Sequence, residues 1–325
     1  MTEATDRATG VDGAAGDGPP VITIGGPTAS GKSALAAGLA EALGGVVINA
    51  DAMQIYRELP ILTARPDVAE RGRAPHRLFG LLAATDPCSV GRWRGLALEA
   101  IGQARAEGAW PVVVGGTGLY LKALSEGIDA IPPVPAALRA RIEARYDAEG
   151  GPAFRQALSR GDPVTAARLQ PGDRQRLVRA AGVLEATGRP LSAWQTGATG
   201  RPGPALGARS FLLLPPREAL YAACDARFKA MVARGALEEA RGFLARGLDP
   251  DLPLMKAVGL RELGRHIAGE TSLDEAVAEG SRATRRYAKR QYTWFRHQAP
   301  GAETHIAQHS ESLLIEIFNK IRQSY

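Results

Sequence analysis

Residues Gly26 to Ser33 read GPTASGKS, with the spacing G-x-x-x-x-G-K-S. In such a turn, backbone N–H groups and the open start of the following helix converge on an anion. Lys32 adds a positive charge, and the Ser33 hydroxyl is a ligand for Mg²⁺. Gly26, Pro27, Thr28, Ala29, Ser30, Gly31, Lys32 and Ser33 are thus expected to hold a di- or triphosphate. Their contacts go to phosphate oxygens, so the loop does not say what the phosphate carries. Asp51 ends a second apolar run, GGVVINAD, and suits a magnesium-holding acid, a general base or the N-cap of the turn after it. A third run, WPVVVGGTG, ends in Gly115, Gly116 and Thr117 where a hydrolytic phosphate-loop enzyme places the acid that holds Mg²⁺ and its attacking water. That ending disfavours an ATPase. Two glycines let a substrate approach the backbone and Thr117 can orient an incoming amine or hydroxyl, although a tight strand-to-helix turn would use the same glycines.

From Ser281 to His297 the chain reads SRATRRYAKRQYTWFRH, with five Arg, one Lys and no acid. On a helix Arg282, Arg285, Arg286, Lys289, Arg296 and His297 fall within an arc of about 100°, with Arg290 just beyond it. A basic stripe without interleaved acids suits a nucleic-acid backbone, and a solvated charged face is the alternative. Tyr287 and Trp294 share another face, fit for core packing or for stacking on bases.

The elements that must position these residues are legible in outline. Val21 to Ile24, Gly45 to Asn49, Val112 to Val114 and Arg209 to Leu214 read as strands, and helical patterns at Ala34 to Leu43 and Gly91 to Glu107 separate the first three. Alternating strands and helices imply an α/β fold with a parallel, P-loop NTPase-like sheet flanked by helices, whose ligands lie at the C-terminal strand edge. Pro132 to Trp194 carries helical stretches at Ala136 to Ala148, Ala153 to Ser159 and Arg174 to Ala186, and no strand pattern. The expected division is a disordered tail over 1–18, a core of 19–131 and 209–325, an all-helical insertion over 132–195 and a linker loop over 196–208.

The chain has 325 residues, 45% of them hydrophobic, enough for a sizeable core. Its apolar runs fall far short of the roughly 20 residues that cross a bilayer. The tail carries too much acid for a targeting peptide. With Cys88 and Cys224 the only cysteines, a disulfide framework and a Cys₄ zinc site are excluded, and the histidines are not expected to form a metal-ligating set. The cytosol is the expected compartment. A net charge of +6 and a pI near 9.5 fit a polyanionic partner without requiring one.

Together these pieces resemble the tRNA dimethylallyltransferase family. In order, the resemblance is carried by GPTASGKS, NADAMQIYR, TARPD with PHRL, VVVGGTGLYLKAL, DRQRLVRA with EATGRPLS, LYAACDARFKAMVARGALEEA, AVGLREL and RRYAKRQYTWFR. It implies transfer of the dimethylallyl group from dimethylallyl diphosphate to N6 of adenosine 37 in the anticodon stem-loop of tRNA. The loop would hold the donor diphosphate together with Arg227, with Mg²⁺ on Ser33. Asp51 matches the family's general base and Thr117 the residue that orients the target adenosine. Family tRNA contacts map onto Asp51, Ala52, Met53 and Gln54; onto Arg139; onto Gln175, Arg176, Leu177, Val178 and Arg179; and onto Lys256, Ala257, Val258, Gly259, Leu260 and Arg261. On the basic helix they map onto Arg282 and Arg286 and then onto Lys289, Arg290, Gln291, Tyr292, Thr293, Trp294, Phe295 and Arg296. A monomer without membrane attachment is expected. The sequence departs from the family pattern at Ala52 (Ser is usual), Leu62 (Gly), Ala223 and Cys224 (Arg-Ile) and Leu260 (Tyr), all near substrate contacts.

A small-molecule or nucleotide kinase would share the phosphate loop but has no need of the basic aromatic helix. A nucleic-acid-dependent ATPase explains the stripe but lacks its acid, and a non-catalytic RNA-binding module leaves Lys32, Ser33 and Asp51 idle.

Overall fold

A computed structural model describes residues 18–195, 200–202, 206–299 and 301–324. The expected N-terminal tail, Gly18 excepted, and much of the expected linker lie outside them. In chain order the elements begin β1 (Ile22–Gly25), α1 (Lys32–Leu43), β2 (Gly45–Asn49), α2 (Val68–Arg73), β3 (His76–Arg77), α3 (Val90–Ala106), β4 (Trp110–Gly115) and α4 (Gly118–Glu126). There follow β5 (Gly127–Asp129), α5 (Ala136–Glu149), α6 (Gly151–Ser159), α7 (Pro163–Arg168), α8 (Arg174–Thr187), α9 (Leu191–Trp194) and β6 (Gly200–Pro202). The chain closes with β7 (Arg209–Leu213), α10 (Arg217–Ala233), α11 (Ala236–Leu244), a 3₁₀ turn at Pro253–Lys256, α12 (Leu260–Ile267), α13 (Leu273–Gln298), β8 (Glu303–His305) and α14 (Glu311–Arg322).

The strands β3-β2-β4-β1-β7-β8 form one sheet in that order, parallel throughout. β-Branched runs such as VVI in β2 and VVV in β4 are buried on both faces, as helices packed on both sides of a parallel sheet require. Val46, Ile48 and Val113 join one apolar cluster with Trp93 and Phe228. Their neighbours Val47, Val112 and Val114 join the other with Leu35, Phe211 and Ile317. Ile24 in β1 is level with Val114 in β4 and Phe211 in β7. β4 therefore ends between the phosphate loop after β1 and Asp51 after β2. Gly31 caps α1 with φ 86, a left-handed conformation that L side chains rarely adopt, and a Cβ there would lie 2.5 Å from Cβ of His309.

The chain divides into two compact units, Glu126–Gly203 and the remainder on either side of it. The smaller unit has its own core of Ile142, Phe154, Leu158, Leu177 and Val183. Asp162, fully buried, ties two of its helix starts together: its carboxylate accepts from the Thr165 N–H at 3.0 Å and the Ser192 hydroxyl at 2.7 Å. Residues 132–195 carry helices as their only elements, but the expectation of a linker loop over 196–208 needs correction, because Gly200–Pro202 forms β6, which pairs antiparallel with β5, Gly127 with Pro202 and Asp129 with Gly200. Three-residue strands leave too short a pattern for periodicity to detect.

Candidate active site

The phosphate loop folds back on itself. Lys32 is 8% exposed, and its Nζ donates to the Pro27 carbonyl at 3.2 Å. Ala29 holds φ 64, a left-handed conformation that costs a non-glycine residue about 1–3 kcal/mol and persists only where the surroundings enforce it. Arg227 on α10 reaches the same loop, where its Nη1 donates to the Thr28 hydroxyl at 3.3 Å.

Asp51 is held from below by Asn49, which is fully buried. The Asp51 N–H donates to Asn49 Oδ1 at 2.8 Å, and Asn49 Nδ2 donates to the Asp51 carbonyl at 3.0 Å. The Asp51 carboxylate accepts the Met53 N–H through Oδ1 at 2.9 Å. It thus caps the following turn with one oxygen and leaves Oδ2 on the Gly116 side, 3.4 Å from where a Gly116 Cβ would stand. The capping role and a role in proton transfer are compatible. Thr117 Oγ1 accepts the Ala52 N–H at 2.9 Å, which leaves its own hydroxyl proton to donate.

Thr28, Lys32, Ser33, Asp51 and Arg227 line one cavity with Leu62, Phe228, Met231 and Val258, and α13 adds Thr284, Tyr287 and Arg290. A charged set and an apolar set in one cavity fit a ligand with an anionic head and a hydrocarbon tail. The sequence reading missed the apolar set. Its one signal is that Phe228 and Met231 stand one and four residues after Arg227 on α10, a spacing that reads equally as core. Of the departures from the family pattern, Leu62 is on the cavity wall, while Cys224 and Leu260 are buried.

Burial pushes the Lys32 ammonium down to about 8, against the opposing pull of Asp51. Burial also lowers Arg227, again opposed by Asp51, but a guanidinium keeps its charge. A bound diphosphate would restore the ammonium form, so Lys32 titrates higher in the complex than in the free protein. Affinity for an allylic diphosphate is therefore expected to be full below about pH 8 and to weaken above it, by up to about tenfold per pH unit. Binding measured across that range for the wild type and for Lys32→Met checks this, since the variant retains only the ligand's own titration. Parallel profiles for the two proteins would contradict it.

α13 presents different chemistry on its two faces. Ala276, Thr284, Ala288, Gln291 and Phe295 are buried, whereas Arg282, Arg286, Lys289, Arg290 and Arg296 are exposed. Arg285 leaves the expected stripe, because its guanidinium is bound by the Asp225 carboxylate of α10. Arg282 has Glu279 at 3.9 Å. Tyr287 faces the cavity, and Trp294 meets Phe295 edge-on at 5.3 Å. Replacing Arg282, Arg286 and Lys289 together by Ala is expected to weaken tRNA binding and flatten its log–log salt dependence by about two to three units, leaving diphosphate binding intact. tRNA affinity measured at several salt concentrations checks it; an unchanged slope would make the stripe only a solvated face.

The residues assigned to tRNA by resemblance differ in burial. Leu177, Val178, Ala257, Leu260, Gln291 and Phe295 have buried side chains. Met53, Gln54, Lys256, Ala257 and Val258 line the cavity. Gly259 caps the start of α12, buried with φ 92, and Arg261 lies in its first turn, exposed. Tyr292 is half-buried under the Arg217 guanidinium, 5.7 Å from the ring centre, and Thr293 is exposed. In the smaller unit Gln175, Arg176 and Arg179 line one cleft, and exposed Arg139 pairs with Glu143 at 2.8 Å.

The expectation about histidine also changes. His305 and His309 stand four apart, but that stretch is not helical. Instead β8 and α14 bring Glu303, His305 and Glu316 together, with potential ligand atoms within 4.8 Å of one another, a grouping that could hold a metal ion. Lys320 already pairs there, at 2.6 Å from Glu303 and 2.8 Å from Glu316. None of the three lines the cavity.

Comparison with known proteins follows the same geometry. The profile of the IPP transferase family matches residues 54–298, and that of isopentenyl transferase matches residues 19–78. A tRNA dimethylallyltransferase of Rhodospirillum centenum is 55% identical over 283 residues, 87% of this chain and 90% of that protein. One from Paramagnetospirillum magneticum is 51% identical, over 94% of this chain and 96% of its own. Among solved structures, the full-length tRNA isopentenylpyrophosphate transferase of Bacillus halodurans superposes with a TM-score of 0.68 at 31% identity, covering 94% of this chain and 96% of that one. A eukaryotic dimethylallyltransferase acting on tRNA gives a TM-score of 0.72 at 25% identity, covering 85% and 70%.

Proposed function

The chain belongs to the IPP transferase family of tRNA dimethylallyltransferases, enzymes that move a dimethylallyl group onto adenosine 37 of tRNA, and from that membership we propose how its residues divide the reaction. Dimethylallyl diphosphate is the donor. Its diphosphate lies on Gly26 to Ser33 with Lys32 and Arg227, and its hydrocarbon lies against Leu62, Phe228, Met231 and Val258. The adenine N6 attacks the allylic carbon, the carbon–oxygen bond to the diphosphate breaks with its electron pair leaving on oxygen, and the proton from N6 passes to Asp51. Thr117 orients the amine through its free hydroxyl proton. Lys32, Arg227 and the loop N–H groups stabilise the charge that develops on the leaving oxygens. The hard oxygen of Ser33 in the same cavity suits Mg²⁺, which would supply further charge neutralisation at the diphosphate.

The observation that carries this reading is that cations, a carboxylate and an apolar wall meet in one cavity. A kinase would need a pocket for a nucleotide base, and β4 would more naturally end in an acid than in Gly115, Gly116 and Thr117. Mg²⁺-dependent binding of dimethylallyl diphosphate and of ATP, compared on the purified protein, tests it. Preference for the prenyl donor is expected. Tight ATP binding with turnover, and none with the prenyl donor, would overturn the reading.

A further inference from the structure

Gln291 lies on the inner face of α13, 7% exposed. Its Oε1 accepts the N–H of Thr28 at 2.8 Å, and its Nε2 donates to the Gly116 carbonyl at 2.8 Å. Thr28 belongs to the phosphate loop after β1, and Gly116 to the turn after β4 that leads into Thr117. One amide therefore spans two segments that are remote in sequence and adjacent in the site. An amide suits the task because it offers an acceptor and a donor from one rigid plane, whereas an ionised carboxylate only accepts and an ammonium only donates. The turn is shaped to receive it, since a Cβ on Gly116 would stand 2.2 Å from Nε2. Neighbouring contacts seat the same stretch of helix. A Cβ on Gly118 would fall 2.0 Å from the Trp294 ring, and one on Gly25 would fall 2.8 Å from Phe295.

Resting on the transferase reading above, we infer that Gln291 is a positioning residue for prenyl transfer, which fixes the separation between the diphosphate loop and the acceptor turn and touches neither donor nor RNA. The two substrates are held by different turns, and reaction requires their reacting atoms to meet at about 3–3.5 Å. The strut between those turns sets that distance. Arg286 and Lys289 lie on the exposed side of the same helix, so RNA phosphates meet its outer face while Gln291 acts on its inner face.

Gln291→Met keeps the side chain's length and removes both hydrogen bonds. Gln291→Glu keeps an acceptor for Thr28 and loses the donor to Gly116, and it serves if the first variant does not fold. In single-turnover assays both are expected to lower the transfer rate by about 10- to 100-fold, the cost of a misplaced reacting pair. Affinity for dimethylallyl diphosphate without RNA, and for tRNA without donor, should stay as in the wild type. An unaltered rate would overturn the inference, as would a loss confined to tRNA affinity, which would make Gln291 an RNA contact. A lower melting temperature with an unaltered rate in the folded protein would also overturn it, by reducing the residue to a structural one. If the wild type transfers nothing, the transferase reading fails and this inference with it; an active wild type with unaltered variants refutes this inference alone.

Discussion

Asp51→Ala is expected to lower the rate of prenyl transfer at saturating substrates by about 10²- to 10⁴-fold, the usual loss when a positioned base is removed. Adenine N6 is a poor nucleophile because its lone pair is delocalised into the ring, and it must shed a proton as the new bond forms. The carboxylate follows the C-terminal end of β2, with its backbone held by Asn49, its Oδ1 by the Met53 N–H and its Oδ2 on the Gly116 side. Because Oδ1 also caps Met53, the Ala variant loses about 0.5–2 kcal/mol of stability as well. Asp51→Asn separates the two roles. Its amide oxygen can still accept the Met53 N–H, so it should fold normally and yet transfer as slowly as the Ala variant. Single-turnover rates beside thermal melts check this, and near-normal transfer by Asp51→Asn would leave only the capping role.

Arg227→Ala is expected to cost about 10²–10³ in the same rate, the scale of removing one preorganised donor from a developing anion. Its guanidinium sits beside Thr28 in the cavity lining, where burial makes a fixed charge worth more than it would be in water. Arg227→Lys should recover part of the loss, because a point charge replaces the fork without its geometry. The loss should fall on the transfer step as well as on donor affinity. A variant whose whole defect vanished at saturating donor would assign Arg227 to ground-state binding alone.

Those two residues were not equally legible. The phosphate loop announces itself because its spacing and the flanking strand and helix are local, and Asp51 follows from the end of a buried strand. Arg227 came only through resemblance, since one Arg on an amphipathic helix carries no signal of its own. Arg285 was misread as part of the basic stripe because its partner, Asp225, is remote in sequence. Gln291 enters the sequence reading only as a tRNA contact implied by resemblance, and its burial depends on the glycines at 116 and 118 admitting α13 against β4 and α4. β3 and β8, two and three residues long, escaped notice because they exist through pairing with β2 and β7, not through any pattern of their own.

The most direct measurement is to incubate the purified protein with dimethylallyl diphosphate labelled in its prenyl carbons, Mg²⁺ and tRNA, then digest the RNA and identify the labelled nucleoside and its position. The account predicts N6-dimethylallyladenosine at position 37, formed with release of unlabelled diphosphate. Label on another atom or position, or none in RNA while a phosphoryl group is transferred from ATP, would contradict it.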